Sequence, residues 1–159
     1  MKYFIIIRGP LGIGKSTIAK KLATVLKAKY ISIDDVLERY NLTRINEDYI
    51  VDDFIKANQI VITQIQKEKS IIFDGNFYFS EQIEHLIKNL AIPNFVFTLK
   101  APLETCLKRD KEREKSYGQV AVEAIYNLVS KFDYGTIIET GNKTTDEVVD
   151  EIQSHLKNK

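Results

Sequence analysis

Residues 3–17 read Tyr3-Phe4-Ile5-Ile6-Ile7-Arg8-Gly9-Pro10-Leu11-Gly12-Ile13-Gly14-Lys15-Ser16-Thr17. The last nine fill every fixed position of the pattern G-x-x-x-x-G-K-[ST]. The apolar, β-branched run Tyr3 to Ile7 before them has the composition of a strand buried on both faces. After them Ile18, Leu22, Val25 and Leu26 recur at helical spacing. Strand, glycine loop and helix N-terminus, in that order, aim backbone N–H groups and the positive end of a helix dipole at a polyphosphate. The pattern predicts a nucleoside triphosphate site formed by Gly9, Pro10, Leu11, Gly12, Ile13, Gly14, Lys15, Ser16 and Thr17. In it Lys15 reaches the β- and γ-phosphates and the Ser16 hydroxyl holds Mg²⁺.

Working outward, 159 residues suffice for one domain with a full core. A hydrophobic content of 44% and a charged content of 28% are those of a globular protein. No apolar run approaches the ~18 residues that a membrane span requires. The first apolar stretch is already used as a strand, so no signal peptide is expected. One cysteine excludes an internal disulfide and fits a reducing cytoplasm. A net charge of +1 argues against holding long nucleic acid on a broad basic surface, and leaves a small substrate or a strand end as the acceptor.

The remaining chain alternates strand-like and helix-like segments, which implies a parallel sheet covered by helices. A second strand is expected at Tyr30-Ile31-Ser32-Ile33, then a brief helix from Asp35 to Tyr40 and a loop over 41–46. Ile50, Phe54, Ala57, Val61 and Ile65 mark one face of a long helix over 47–67. Ser70 to Gly75 reads as a third strand, with Ser80 as the cap of the helix after it. Phe95 to Leu99 is a fourth strand, and Pro102 suits the start of a helix over 103–115. Tyr117-Gly118 reads as a turn, followed by a helix striped with Ile125, Leu128, Val129 and Phe132. Thr136 to Glu139 is a fifth strand, and Thr144 with Glu147 forms a capping box for the last helix.

Asp34 and Asp35 are expected at the C-terminal end of the second strand, where open α/β sheets place their ligands. A carboxylate there can accept the proton of an attacking hydroxyl. Alternatively both are acidic first-turn residues favoured by the helix dipole, a reading that suits Asp35 better. Asp74 ends an apolar strand, the Walker-B arrangement that supports Mg²⁺ directly or through water, although Asp-Gly is also a common turn pair. Asn76 and Tyr78 follow on the same edge, where they can touch substrate or simply form a loop. Arg109 and Arg113, four apart, share a helix face within a run of five basic and three acidic residues. They can cover transferring phosphates, or belong to a solvated helix laced with pairs such as Lys108 and Glu112. Cys106 reads as core, and His85 and His155 receive no role.

The order of strand, phosphate loop and Ile33-Asp34-Asp35 resembles the small P-loop kinases, a group that includes adenylate, shikimate, gluconate and adenylylsulfate kinases. The resemblance covers nearly the whole chain. It implies a three-layer α/β/α fold, five parallel strands in the order 2-3-1-4-5, and a helical lid near 109–119. The motif spacing is most similar to the polynucleotide kinase type. That likeness maps a general base onto Asp34, a transition-state arginine onto Arg113, and a structural or nucleotide-contacting lid arginine onto Arg109. The chain departs from that type with Leu37 where it has an arginine, for which Arg39 or Arg44 could substitute. It also lacks the triple glycine of shikimate kinases after the third strand and the glycine-arginine substrate motif of adenylate kinases.

The resemblance thus implies an ATP- and Mg²⁺-dependent phosphotransferase, with Lys15, Asp34 and Arg113 as catalytic groups and Ser16 with Asp74 at the metal. Asp34, Asp35, Asn76 and Tyr78 would face a small hydroxyl- or phosphate-bearing acceptor, a nucleoside, nucleotide or nucleic-acid 5′-hydroxyl among them. The alternative is a P-loop NTPase that acts as a nucleotide-dependent switch, or a regulatory ATP-binding protein without a small-molecule acceptor.

Overall fold

The computed structural model describes residues 2–42, 51–65, 67 and 70–157. Its first strand, β1 (Phe4–Arg8), is buried along its whole length and leads directly into the phosphate loop. Helix α1 (Lys15–Leu26) begins as that loop ends. The chain continues through β2 (Lys29–Ser32), α2 (Ile33–Arg39), α3 (Val51–Ile65), β3 (Ile71–Gly75) and α4 (Ser80–Asn89). Then come β4 (Asn94–Lys100), α5 (Leu103–Lys111), α6 (Gln119–Val129), β5 (Thr136–Glu139) and α7 (Thr145–Lys157).

The five strands form one sheet in the order β2-β3-β1-β4-β5, and every neighbouring pair is parallel. β1 is therefore central, and register sets Ile7 beside Asp74 and Arg8 between Gly75 and Thr98. Strand side chains alternate between the two faces. Phe4, Ile6, Phe73 and Val96 pack with Phe54, Val61, Ile83 and Leu86 of α3 and α4. Ile5, Ile7, Ile72, Phe97 and Leu99 pack with Ile18, Leu22, Val148 and Ile152 of α1 and α7. The strands read as continuous apolar runs because both faces are covered.

Some expectations are corrected. β2 stops at Ser32, and Ile33 opens α2, so Asp34 and Asp35 lie in the first turn of that helix. Ser32 precedes it in extended conformation and makes no side-chain cap. Ser80 likewise lies inside α4, which follows extended Phe79, and its hydroxyl turns to Glu81. α5 ends at Lys111, four residues short of the expected end, for a reason given below. The capping box is present: Glu147 accepts from the Thr144 amide at 2.7 Å, and the Glu147 amide donates to Thr144 Oγ1 at 3.2 Å. Residues 47–50 and 66 of the long expected helix lie outside the described residues, as do 43–46 of the expected loop, Arg44 among them.

Candidate active site

The C-terminal ends of β1 and β3 and the N-terminus of α1 meet at the phosphate loop. Gly12 adopts φ +76, and a Cβ there would come within 2.3 Å of the Cys106 carbonyl oxygen. Only glycine lets the loop lie against the backbone of α5 so closely. Arg109, also on α5, donates to the Ile13 carbonyl at 3.2 Å and to the Thr140 carbonyl at 2.9 Å. It thereby ties the phosphate loop to the segment after β5.

Lys15 donates to the Pro10 carbonyl at 3.2 Å, folded back along its own loop. Burial lowers the pKa of its ammonium, while the nearby Asp74 and Asp34 carboxylates raise it and the Arg113 charge lowers it further. Asp34, Asp74 and Arg113 thus all lie within electrostatic reach of Lys15. The four come from α1, α2, β3 and the segment after α5. Asp34 is exposed to solvent in the first turn of α2, and its carboxyl is raised by partial desolvation, lowered by Lys15 and raised again by Asp35.

Asp74 is 3% exposed. Burial raises its carboxyl, against the lowering effects of the Tyr30 hydrogen bond, the Lys15 charge and the Ser16 hydroxyl. Tyr30 donates to Asp74 Oδ2 at 2.7 Å, and its own phenol is held protonated by burial and by that carboxylate. No cluster of three or more His, Cys, Asp or Glu suited to a metal occurs among the described residues. One carboxylate and one hydroxyl at the phosphate loop remain. That donor set fits Mg²⁺, which retains waters and draws its other ligands from phosphate oxygens.

Arg113 lies beyond the end of α5 with its guanidinium 4.6 Å from the Tyr117 ring centre. The helix stops because Asp110 turns back on the chain ahead of it. Its carboxylate accepts from Ser116 Oγ at 2.8 Å and from the Tyr117 and Gly118 amides at 3.0 Å each. The result is a knotted loop, residues 112–118, in place of a helical extension.

On the other side of the crevice Asn76 Nδ2 donates to the Tyr78 hydroxyl at 2.6 Å. Asn76 is 7% exposed, and its Oδ1 is buried without a partner among the described residues. Phe54, Tyr78 and Phe79 meet edge to face at 5.7–6.4 Å between ring centres and form an aromatic wall next to that amide.

The AAA domain family model matches residues 4–133. A Methanocaldococcus jannaschii protein provisionally named an adenylate kinase is 30% identical over 98% of this chain and 86% of its own. The chain belongs to the small P-loop kinase family. A shikimate kinase of Francisella tularensis subsp. holarctica is 28% identical to this kinase, over 96% of this chain and 93% of its own. The solved gluconokinase of Sinorhizobium meliloti 1021 has the same fold, with a TM-score of 0.78 at 12% identity, covering 97% of this kinase and 91% of that chain. Membership of the family implies ATP binding. No helix among the described residues is long and apolar enough to cross a membrane.

Three residues of the kinase escaped the sequence reading. Tyr30 reads as an ordinary strand aromatic, because its bond to Asp74 depends on the register between β2 and β3. Asp110 reads as one charge in a charged run. Arg8 reads as the end of β1, yet it is fully buried and binds four oxygen acceptors described in the Discussion.

Proposed function

We propose that this kinase transfers the γ-phosphate of ATP, as its Mg²⁺ complex, to a small acceptor bearing a hydroxyl or a phosphate. The observation that carries the reading is the convergence of Lys15, Asp34, Asp74 and Arg113 on the phosphate loop from four separate segments. Backbone N–H groups of Gly12 to Ser16 and the start of α1 cradle the phosphates. Lys15 leaves the Pro10 carbonyl for the β- and γ-phosphates. Ser16 and Asp74 hold the cation, which supplies charge neutralisation between those phosphates.

Asp34 orients the acceptor hydroxyl and takes its proton as the phosphoryl group departs. Its carboxyl is raised, which makes it a stronger base than a free aspartate. Arg113, resting on Tyr117, reaches the transferring phosphoryl group from the loop above and stabilises the charge that develops there. Arg109 serves the nucleotide indirectly, because its guanidinium is already engaged by Ile13 and Thr140. Asn76 and Tyr78 form the acceptor wall, with Asp35 at its rim. The relatives named for adenylate and shikimate direct the first choice of acceptor to nucleoside monophosphates and hydroxylated ring acids.

The test is ADP release from Mg·ATP across nucleosides, nucleoside monophosphates, sugar acids, shikimate, adenylylsulfate and 5′-hydroxyl oligonucleotides, with Lys15→Ala as the blank. ADP formed with one acceptor class, and absent in Lys15→Ala, is the expected result. Asp34→Asn should then lower kcat by ~10²-fold or more. Acceptor-independent ADP release would overturn the reading in favour of a nucleotide-driven switch, and a wild-type rate in Asp34→Asn would remove the base.

A further inference from the structure

Tyr30 has no part in the transfer as described, yet three elements converge on it. β2 carries it, and register sets Tyr30 beside Ile72 and Ser32 beside Asp74, so Tyr30 lies two residues from Asp74 along the neighbouring strand. From α1, the Lys20 ammonium sits 5.4 Å from the Tyr30 ring centre. Lys20 is four residues after Ser16, so the two share a face of that helix. The ring is therefore held from above by the helix that presents Ser16. Its hydroxyl reaches the carboxylate of β3 at 2.7 Å.

A buried carboxylate with one oxygen so engaged cannot turn freely about its last torsion. We propose that Tyr30 is a positioning residue for the cation site, its phenol holding Asp74 in the orientation that meets the Ser16 hydroxyl. The inference rests on the reading that Asp74 and Ser16 hold the divalent cation of the nucleotide. Hydrogen-bond partners of metal-binding carboxylates act in this way generally, fixing the plane of the ligand before the ion arrives. The competing explanation is that Tyr30 only satisfies an acceptor that burial would otherwise leave bare. The two differ in what happens to metal affinity when the hydroxyl is removed and the ring is kept.

Tyr30→Phe makes that change. The protein is loaded with a non-hydrolysable ATP analogue and titrated with Mn²⁺, and free Mn²⁺ is read by electron paramagnetic resonance. Binding of the analogue in EDTA is measured alongside. Tyr30→Phe should weaken Mn²⁺ by ~10-fold or more, the usual effect of removing such a partner, with metal-free analogue binding unchanged. In an Asp74→Asn background it should have no further effect, because the group it orients is gone. Unchanged Mn²⁺ affinity in Tyr30→Phe, beside a loss in Asp74→Asn, would overturn the positioning role and leave the metal site standing. Parallel loss of metal-free analogue binding would assign Tyr30 to packing and overturn it as well. Unchanged Mn²⁺ affinity in Asp74→Asn would remove both the metal assignment and Tyr30, and the acceptor-panel assay then decides phosphotransfer separately.

Discussion

Arg8→Met sets hydrogen bonds against desolvation at one buried site. Arg8 is fully buried, and among the described residues its hydrogen-bond acceptors are oxygens of carbonyls and a hydroxyl, with no carboxylate in the set. Nη1 donates to the Phe132 carbonyl and Nη2 to the Val129 carbonyl, each at 3.0 Å. Weaker bonds reach Thr98 Oγ1 at 3.3 Å and the Phe77 carbonyl at 3.4 Å, and the guanidinium lies 4.3 Å from the Phe132 ring centre. Val129 ends α6, so the guanidinium sits at the negative end of that helix dipole.

Methionine keeps the apolar stem and removes every donor. The buried Val129 carbonyl would cost about 1–3 kcal/mol as an acceptor without its partner, and the half-buried Phe132 carbonyl less, because water can reach it. Thr98 retains its own bond to the Tyr134 carbonyl at 2.6 Å. The opposing term is the cost of burying the cation, visible in a pKa drawn down to about 10 by desolvation and in an Nε without a partner among the described residues. Offsetting part of one against the other leaves a loss of about 3 kcal/mol. At ~2–4 °C per kcal/mol for a chain of this size, Tm should fall by ~6–12 °C. Urea unfolding with an unchanged m-value, together with thermal melting, measures it. Arg8→Met as stable as the parent, or more so, would refute the reasoning, because desolvation would then exceed the bonds.

Asp110→Ala removes the carboxylate that accepts from three donors and should cost about 2 kcal/mol, with faster amide exchange at Tyr117 and Gly118. Protected amides at those positions in the variant would refute the knot. Desolvation raises the Asp110 carboxyl, but the Tyr117, Ser116 and Gly118 hydrogen bonds outweigh it, so its folded pKa lies below the ordinary value. Its stabilisation is therefore complete above pH ~4 and lost as pH falls through the lower folded value. The stability gap between parent and Asp110→Ala should close in acid, and a gap that persists there would contradict this sign. Gly12→Ala adds a Cβ 2.3 Å from the Cys106 carbonyl oxygen at φ +76. Strain of about 1–3 kcal/mol should weaken ATP ~5- to 150-fold in calorimetry, and parental affinity would refute the close seating of loop on helix.

What could be read in advance was whatever depends on neighbours along the chain. Residues 3–17 carry strand, loop and helix in consecutive segments, and Thr144 with Glu147 form their cap within a single turn. Asp74 was legible because an apolar run stops at it. The expected strand before Asp34 runs one residue past the end of β2 and the expected helix starts two residues late, because Ile33 suits a strand end and a helix start equally well. Lys108 to Lys115 look helical throughout by propensity. Only the return of the chain at Ser116 to Gly118, which gives Asp110 its donors, shortens the helix. Tyr30 and Arg8 depend on partners 44 and 69 to 124 residues away, so no local pattern carries them.

The seating of Gly12 on the Cys106 carbonyl has a mechanical consequence. An α5 that touches the phosphate loop at Cys106, and grips it again through Arg109 and Ile13, cannot swing without dragging the loop along. Beyond α5, residues 116–118 are already fastened to Asp110. The Glu112 and Arg113 amides also bond back to the Lys108 and Asp110 carbonyls, at 3.2 and 3.1 Å, so the backbone that carries Arg113 is fastened too. Ordering a residue costs about 1–2 kcal/mol of backbone entropy, and a loop held at this many points has little of it left to lose when a ligand binds. Whatever reach Arg113 has comes from its own side chain, which makes the phosphate loop and its cover one stiff piece.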